Sequence, residues 1–199
     1  MKRIFDIVMA TFGLALVSPL FVWIAWKIKI EDGGPIFYRG VRVGFRGKLF
    51  RIFKFRSMVV NADKIGPLST KSEDPRITQI GRWIREHKVD ELPQLLNVLA
   101  GDMSFVGPRP EVKSEVDTYG PELDIIFKVR PGITDFSSIE FRNEGDIISQ
   151  SGITDAHEAY RKLIKPRKIE LQKKYAINHS FILDIKLILQ TLLLVVGKK

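Results

Sequence analysis

Asp90 and Glu91 are adjacent carboxylates leading into Leu92-Pro93-Gln94, and Arg109 follows between Pro108 and Pro110. Carboxylates at the mouth of a helix, with a restrained arginine nearby, are the parts needed to manage phosphate and a divalent cation. Leu92, Leu95, Leu96 and Leu99 recur at helical spacing, which predicts a helix buried on one face. Asp90 stands where an N-cap belongs, Pro93 is tolerated in the first turn, and Gly101 reads as the stop. The prolines beside Arg109 fix the local backbone and limit where its guanidinium can point. An Asp-Glu pair at a helix start also has a plainer use, as a cap that favours the helix dipole. The pattern alone is compatible with either.

The elements that must hold these groups are partly legible. Ile36–Val43 and Lys48–Phe55 are rich in aromatic and β-branched residues and flank Gly44-Phe45-Arg46-Gly47, which predicts a β-hairpin. Its second arm carries Lys54 and runs on to Arg56 and Ser57. Such basic residues either reach phosphate or simply guard a strand edge. The polar stretch Asn61–Pro75 reads as a short helix followed by a mobile loop, and Thr78–Lys88 as an amphipathic helix, with Arg85 and Lys88 near the carboxylate pair in sequence. Pro110–Lys128 is expected to be helical and Arg130–Thr134 a turn. Asp155–Asn178 reads as a charged helical stretch interrupted near Lys165-Pro166, and Phe181–Val196 as an apolar one. Asp184, Lys186 and Gln190 make a full membrane span by that last segment costly, so an interfacial or core-docked helix is expected, with Lys198 and Lys199 available to anionic lipid.

At 199 residues the chain suits a single core-forming domain. It has no cysteine, which excludes disulfide and thiolate chemistry, and His87, His157 and His179 lack zinc-ligand spacing. A net charge of +9 calls for acidic partners. Nucleic acid fits poorly because the basic residues are dispersed and no nucleic-acid-binding motif is present. From Ile7 to Trp26 no charged side chain occurs, enough for a bilayer span. Ser18-Pro19 interrupts that segment, however, and basic residues flank both its ends: Lys2 and Arg3, then Lys27 and Lys29. Each half, roughly 18 Å long at about 1.5 Å per residue, reaches through about one leaflet. The expectation is a re-entrant helix over residues 1–30, broken at Ser18 and Pro19, with a catalytic domain over 31–199 and Trp23 and Trp26 near the headgroups.

Beyond single residues, Asp90-Glu91-Leu92-Pro93-Gln94, Gly101-Asp102-Met103-Ser104 and Gly107-Pro108-Arg109-Pro110 together resemble the core of the bacterial sugar transferases known as monotopic phosphoglycosyl transferases. Lys54-Phe55-Arg56-Ser57-Met58, Val129-Arg130-Pro131-Gly132-Ile133-Thr134 and Ser180-Phe181-Ile182-Leu183-Asp184-Ile185-Lys186 extend the resemblance over nearly the whole chain. It implies an α-rich α+β monotopic membrane protein, with a re-entrant helix, a short hairpin and interfacial helices, on the cytoplasmic face of the bacterial inner membrane. The implied reaction moves a sugar 1-phosphate from a UDP-sugar to undecaprenyl phosphate and releases UMP. In that reading Asp90 is the nucleophile, Glu91 positions Mg2+ or orients the second substrate, and both carboxylates are candidate metal contacts. Lys54, Arg56, Arg109 and Arg142 become candidate substrate-binding cations, and a homodimer is possible. Residues 135–144 depart from the sequence usual in the family, which puts the nucleotide-sugar contacts there in doubt. The extra N-terminal spans of larger relatives are missing, so the chain reads as a minimal catalytic core. The competing reading is a membrane-attached scaffold or inactive relative whose carboxylates only cap a helix.

Overall fold

The computed structural model describes residues 1–66 and 73–197; most of the loop expected before Pro75, and Lys198 and Lys199, lie outside the described residues. The apolar N-terminal segment forms one helix, α1 (Lys2–Asp32). The expected break at Ser18-Pro19 is not a break in the helix, which continues through Pro19. Proline removes the N–H that would reach the carbonyl of Ala15. The hydroxyl of Ser18 donates to that same carbonyl at 2.8 Å, so the acceptor keeps a partner. The pair therefore supplies its own local repair.

α1 lies along the rest of the protein by one face only. Ala10 packs with Ile52, Leu95, Val98 and Met103, while Ile24 and Ile28 pack with Phe55 and Ile84. The opposite face leaves Val8, Phe12, Leu16, Val22 and Trp26 exposed. Both ends are tied down by charge. Lys2 Nζ donates to the Asp184 carboxylate and, at 3.0 Å, to the carbonyl of Val106. Arg3 donates to the carbonyls of Val98 and Leu99. At the far end Asp32 is gripped by Arg56, and Glu31 accepts from the backbone N–H groups of Gln79 and Ile80.

The expected hairpin is present in two short ladders. β1 (Phe37–Tyr38) pairs antiparallel with β4 (Lys54–Phe55), and β2 (Val41–Val43) with β3 (Leu49–Arg51) around the Phe45–Gly47 turn. After the short helix α2 (Ala62–Ile65) come α3 (Gln79–Glu86) and α4 (Gln94–Ala100), the latter stopped by Gly101 at φ 93°. β5 (Ser104–Val106) then pairs in parallel with β6 (Gly132–Thr134), where the sequence suggested only a turn. The two backbones meet at Gly107 and Gly132: a Cβ on Gly132 would lie 2.0 Å from the Gly107 nitrogen. That close approach makes the strand pair possible and cannot be read from either segment alone.

The expected Pro110–Lys128 helix is divided into α5 (Lys113–Val116) and a 3₁₀ segment (Pro121–Lys128), because Pro121 cannot continue a helix arriving from Gly120. α6 (Phe136–Glu140) and α7 (Glu144–Gln150) follow. The interruption near Lys165-Pro166 separates α8 (Ala156–Leu163) from α9 (Lys165–Asn178), with Pro166 in the first turn of α9. α10 (Phe181–Val196) is docked by one face: Leu187 and Asp184 are buried, and Thr134 and Thr191 share a 2.7 Å hydrogen bond. Its other face exposes Ile182, Leu189 and Leu193, and Phe181 meets Phe5 of α1 edge-on. The helix-rich α+β architecture read from the sequence is the one observed.

Candidate functional site

The carboxylate pair is delivered by the end of α3. Thr78 opens that helix, its hydroxyl accepting from Gly81 N–H. At the other end Lys88 adopts φ 54°, the left-handed conformation that usually falls to glycine. Lys88 N–H bonds the Arg85 carbonyl and Val89 N–H bonds the Ile84 carbonyl, each at 3.1 Å, while Val89 packs on the Ile84 cluster. This is a complete Schellman closure. It turns the chain sharply so that Asp90 follows at once, and the carbonyl of Asp90 accepts from Phe55 N–H of β4 at 2.9 Å.

Asp90 is not the N-cap of α4. Tight hydrogen bonds, Leu92 N–H to Val89 and Gln94 N–H to Glu91, wind residues 90–93 into a turn, so regular helix begins only at Gln94. Pro93 takes the cap position with no side-chain capping bond. Among the described residues nothing hydrogen-bonds the Asp90 carboxylate, and its capping role is absent.

Glu91 is the opposite case. Lys54 Nζ donates to its carboxylate at 2.6 Å, and Arg109 grips both oxygens, with Nη1 at 3.0 Å from Oε2. Burial raises the proton affinity of Glu91, but the charges of Arg109 and Lys54 outweigh it and hold the carboxyl far below the ordinary range. The folded protein thus binds this proton more weakly than the unfolded chain. The pairing supports the fold above the usual glutamate range and that support is lost as pH falls below it. Asp90 moves the other way: burial first, then the neighbouring Glu91 charge, push its carboxyl up against the pull of Lys54, Arg109 and Arg85. One carboxylate is neutralised and the other is left bare and more basic.

Three supports hold the cations, none of them among the residues expected at the site. Asn97, fully buried on α4, accepts from Phe53 N–H at 2.8 Å and donates to the Arg51 carbonyl at 2.9 Å, fixing the strand that ends in Lys54. Gln172 of α9 donates to the carbonyl of Arg109. Lys168, one turn earlier and almost fully buried, lies 3.0 Å from Glu111 and 3.7 Å from Glu144. It thereby joins the arginine loop to the start of α7. The only hint in the sequence was a lysine and a glutamine one helical turn apart on the face that α9 buries.

The remaining candidates sit elsewhere. Arg56 is buried, and both its terminal nitrogens are engaged by Asp32, so it fastens the end of α1 instead of joining Lys54 at Glu91. Arg142 comes near through its backbone: Lys88 Nζ donates to its carbonyl at 3.0 Å. Ser18 and Pro19 lie on the membrane-type helix, far from this chemistry in role. Among the described residues no group of three or more His, Cys, Asp or Glu side chains converges on a metal position. The hard oxygen donors available are Asp90 and, less freely, Glu91. Hard carboxylate oxygens of this kind are what a divalent cation such as magnesium would take.

Comparison with known proteins shows the family. The family model described as bacterial sugar transferase matches residues 1–198, and the chain belongs to that family. It is 42% identical over 161 residues to the undecaprenyl-phosphate galactose phosphotransferase of Salmonella typhimurium, covering 73% of this chain and 34% of that one. It is 37% identical over 195 residues to the UDP-glucose:undecaprenyl-phosphate glucose-1-phosphate transferase of Escherichia coli, covering 96% and 39%. The sugar transferase EpsL of Bacillus subtilis, named as uncharacterized, is 36% identical over 191 residues, covering 96% and 85%. The chain therefore spans little more than a third of the length of the first two relatives and most of the third.

The electrostatics of the pair can be tested without any assumption about turnover. Glu91→Gln keeps the shape but removes the like charge that helps raise Asp90, and frees Lys54 and Arg109 to act on Asp90 alone. The Asp90 carboxyl is expected to titrate at lower pH in this variant than in the wild type. Carbon-13 NMR titration of the labelled carboxyl measures it.

Proposed function

We propose that the chain transfers a sugar 1-phosphate from a UDP-sugar to a polyprenol phosphate of the undecaprenyl type, through a covalent aspartyl intermediate. The observation that carries the reading is the contrast at the site: Asp90 is bare, while the adjacent Glu91 is locked between Lys54 and Arg109. A carboxylate whose only duty were capping would not be left in that state. Two relatives named for transfer to undecaprenyl phosphate support the same reaction class.

In the first half-reaction an Asp90 oxygen attacks the sugar-bearing phosphorus, the bond from that phosphorus to the bridging oxygen breaks, and UMP leaves with the bridging oxygen. In the second, an oxygen of the polyprenol phosphate attacks the same phosphorus and displaces the Asp90 carboxylate, giving a polyprenyl diphosphate sugar. A carboxylate is a competent phosphoryl acceptor. The raised basicity of Asp90 makes it a better nucleophile than an ordinary surface aspartate, while remaining ionised requires the surrounding cations. Arg109 is held by Glu91 and by the α9 contact so that its guanidinium faces phosphate with little freedom to lose. Magnesium, held by Asp90 or Glu91 together with the donor phosphates, would neutralise charge on the diphosphate. The two-step path lets the nucleotide leave before the lipid arrives.

Membrane placement follows from α1. A straight span would carry its ends to opposite faces of a bilayer, since 31 residues extend about 46 Å. Yet Lys2 bonds Asp184, and Asp32 bonds Arg56, on one folded body. This favours a helix that is immersed by its apolar face in one leaflet and keeps both ends on the side of the catalytic domain, which we assign to the cytoplasmic face of the bacterial inner membrane.

Asp90→Asn tests the chemistry. The amide is nearly isosteric and makes no new capping conflict, so the protein is expected to fold while losing both half-reactions. Wild-type protein given a UDP-sugar from a panel, without acceptor, is expected to gain one phosphosugar at Asp90 by intact mass spectrometry and to lose it on adding undecaprenyl phosphate. Wild-type turnover by Asp90→Asn overturns the assignment. Chelation of magnesium is expected to abolish UMP release, with calcium restoring it poorly because it tolerates looser geometry and longer bonds; full activity in excess chelator refutes the metal role.

The topology has its own measurement. The natural chain lacks cysteine, so single cysteines placed ahead of Met1 and at Arg39 report cleanly. Both are expected to react with an impermeant thiol reagent from the same side of sealed vesicles. Opposite sides would refute the placement of both ends of α1 on the side of the catalytic domain.

A further inference from the structure

The site contains a cation that the mechanism above does not use. Arg85 lies on α3 one turn before the closure that delivers Asp90, and it is only partly exposed. Its Nε donates to the Ser57 hydroxyl at 2.9 Å, which fixes the plane of the guanidinium. Among the described residues its terminal nitrogens, unlike those of Arg56 and Arg109, have no hydrogen-bond partner. The placement is built into the fold. α3 sits flush against the chain following β4, so that a Cβ on Gly81 would lie 2.0 Å from the Ser57 carbonyl oxygen. Thr78 N–H bonds that same carbonyl at 3.2 Å. The helix and Ser57 thus hold Arg85 from two directions.

Charge balance says what this arginine faces. Asp90 and Glu91 supply two negative charges, and Lys54 and Arg109 offset them. The groups acting on Arg85 are Asp90 and Asp74, which favour its charge, and Arg76, which opposes it. Asp74 is itself bound on both oxygens by Arg76, with contacts of 2.9 and 2.7 Å. Among the described residues Arg85 is therefore a cation acting on Asp90 that is not already committed to a carboxylate. A diphosphate donor brings more negative charge into a site that is otherwise neutral, and a partly desolvated guanidinium with free donors is suited to receive it.

We infer that Arg85 is a substrate-binding residue whose terminal nitrogens contact a non-bridging oxygen of the donor diphosphate, with Ser57 acting as the positioning residue that aims it. This rests on the proposed transfer reaction. Arg109 then serves the oxygen side facing Glu91, and Arg85 the side facing Asp90. As the new P–O bond forms, the developing charge lies between two fixed guanidinium groups, the arrangement that lowers a phosphoryl-transfer barrier. Burial makes the charge of Arg85 less favourable than in water, a cost that a bound phosphate relieves.

The experiment compares wild type with Arg85→Gln, Arg85→Lys and Ser57→Ala in the intact detergent-solubilised chain. UDP binding is followed by calorimetry, and steady-state UMP release by its KM, kcat and pH profile. Arg85→Gln is expected to weaken UDP binding by tenfold or more and to slow the release of UMP a hundredfold. It is also expected to shift the acid limb of kcat/KM upward, because a positive charge near Asp90 is gone while Lys54, Arg109 and Glu91 remain. Arg85→Lys is expected to recover part of the binding but not the rate, since a lysine cannot present two parallel donors. Ser57→Ala, which only removes a hydroxyl and so tests the aim of Arg85 should Arg85→Gln not fold, is expected to raise the donor KM severalfold with little change in thermal stability. A folded Arg85→Gln with wild-type UDP affinity and pH profile overturns the inference, as does a Ser57→Ala protein with unchanged KM. If wild type binds UDP but releases UMP from no UDP-sugar, the transfer reaction is refuted, and a loss of UDP binding in Arg85→Gln would still support the anion contact.

Discussion

Glu91 binds together segments that are distant in the chain. Lys54 reaches it from the hairpin, Arg109 from the proline-bounded loop after β5, and Glu91 itself stands in the turn before α4. Each of the three would be costly to leave buried alone, and as a group they satisfy one another. The position of Asp90 depends on this cluster, because its neighbour's side chain and its own carbonyl are both fixed: the first by Lys54 and Arg109, the second by Phe55 N–H. Pairing Glu91 so completely is what allows the next carboxylate to remain unpaired without the turn collapsing around it. Stability and reactivity are thus divided between two adjacent residues of similar chemistry.

Behind this cluster α9 acts as a rigid support. Lys168 bridges Glu111 and Glu144, Tyr160 donates to Glu111 at 3.2 Å, and Gln172 holds the Arg109 carbonyl. These contacts join the arginine loop to the residue that begins α7. The same lysine therefore fixes both the loop that carries Arg109 and the start of α7. Burial raises the cost of its charge, but the two glutamates outweigh that and hold the ammonium protonated well above the ordinary lysine range. An ammonium so placed is a structural cation, unlike Arg85, whose donors are not consumed by carboxylates.

Local patterns in the sequence carried much of this and failed at identifiable places. The spacing of Leu92, Leu95, Leu96 and Leu99 marked a helix with a buried face, and Gly101 its end, because helix periodicity and the left-handed stop are properties of short windows; Leu95 is buried and Leu99 packs beside it, with Val98 completing the face. The hairpin, the interruption before Pro166 and the docked character of α10 are local in the same sense. Asp90 was misplaced as a cap because a proline near a helix start fits either the first turn or the cap. The deciding hydrogen bonds, from Leu92 and Gln94, form only once the Schellman turn has set the direction of the chain. Arg56 had the composition of a site residue, but its partner Asp32 closes a different helix, a pairing that no local window contains. β6 depended on two glycines brought into contact across the fold. Convergence of Lys54 and Arg109 on Glu91 was not expected, since the resemblance implied only that both cations bind substrate and spacing along a chain does not reveal which side chains meet.

The membrane-type surface and the site are mechanically linked through the same contacts. The exposed apolar sides of α1 and α10 adjoin where Phe5 meets Phe181, while Tyr175 and Lys2 together bind Asp184 beneath them. Lys2 also bonds the Val106 carbonyl, and Tyr175 donates to that carbonyl at 3.1 Å, in the strand that leads directly to Pro108-Arg109. At the other end of α1, Asp32 holds Arg56, two residues beyond Lys54. Both cations that neutralise Glu91 are therefore reached from α1 through short covalent and hydrogen-bonded paths. A helix lying in a lipid surface with both ends fastened in this way would set the height of Lys54 and Arg109 relative to that surface. For the transfer proposed above, of a sugar 1-phosphate to a phosphate anchored at the interface, that height would decide whether the acceptor can reach Asp90, so under that proposal the ion pairs at the ends of α1 belong to the catalytic geometry as much as to the fold.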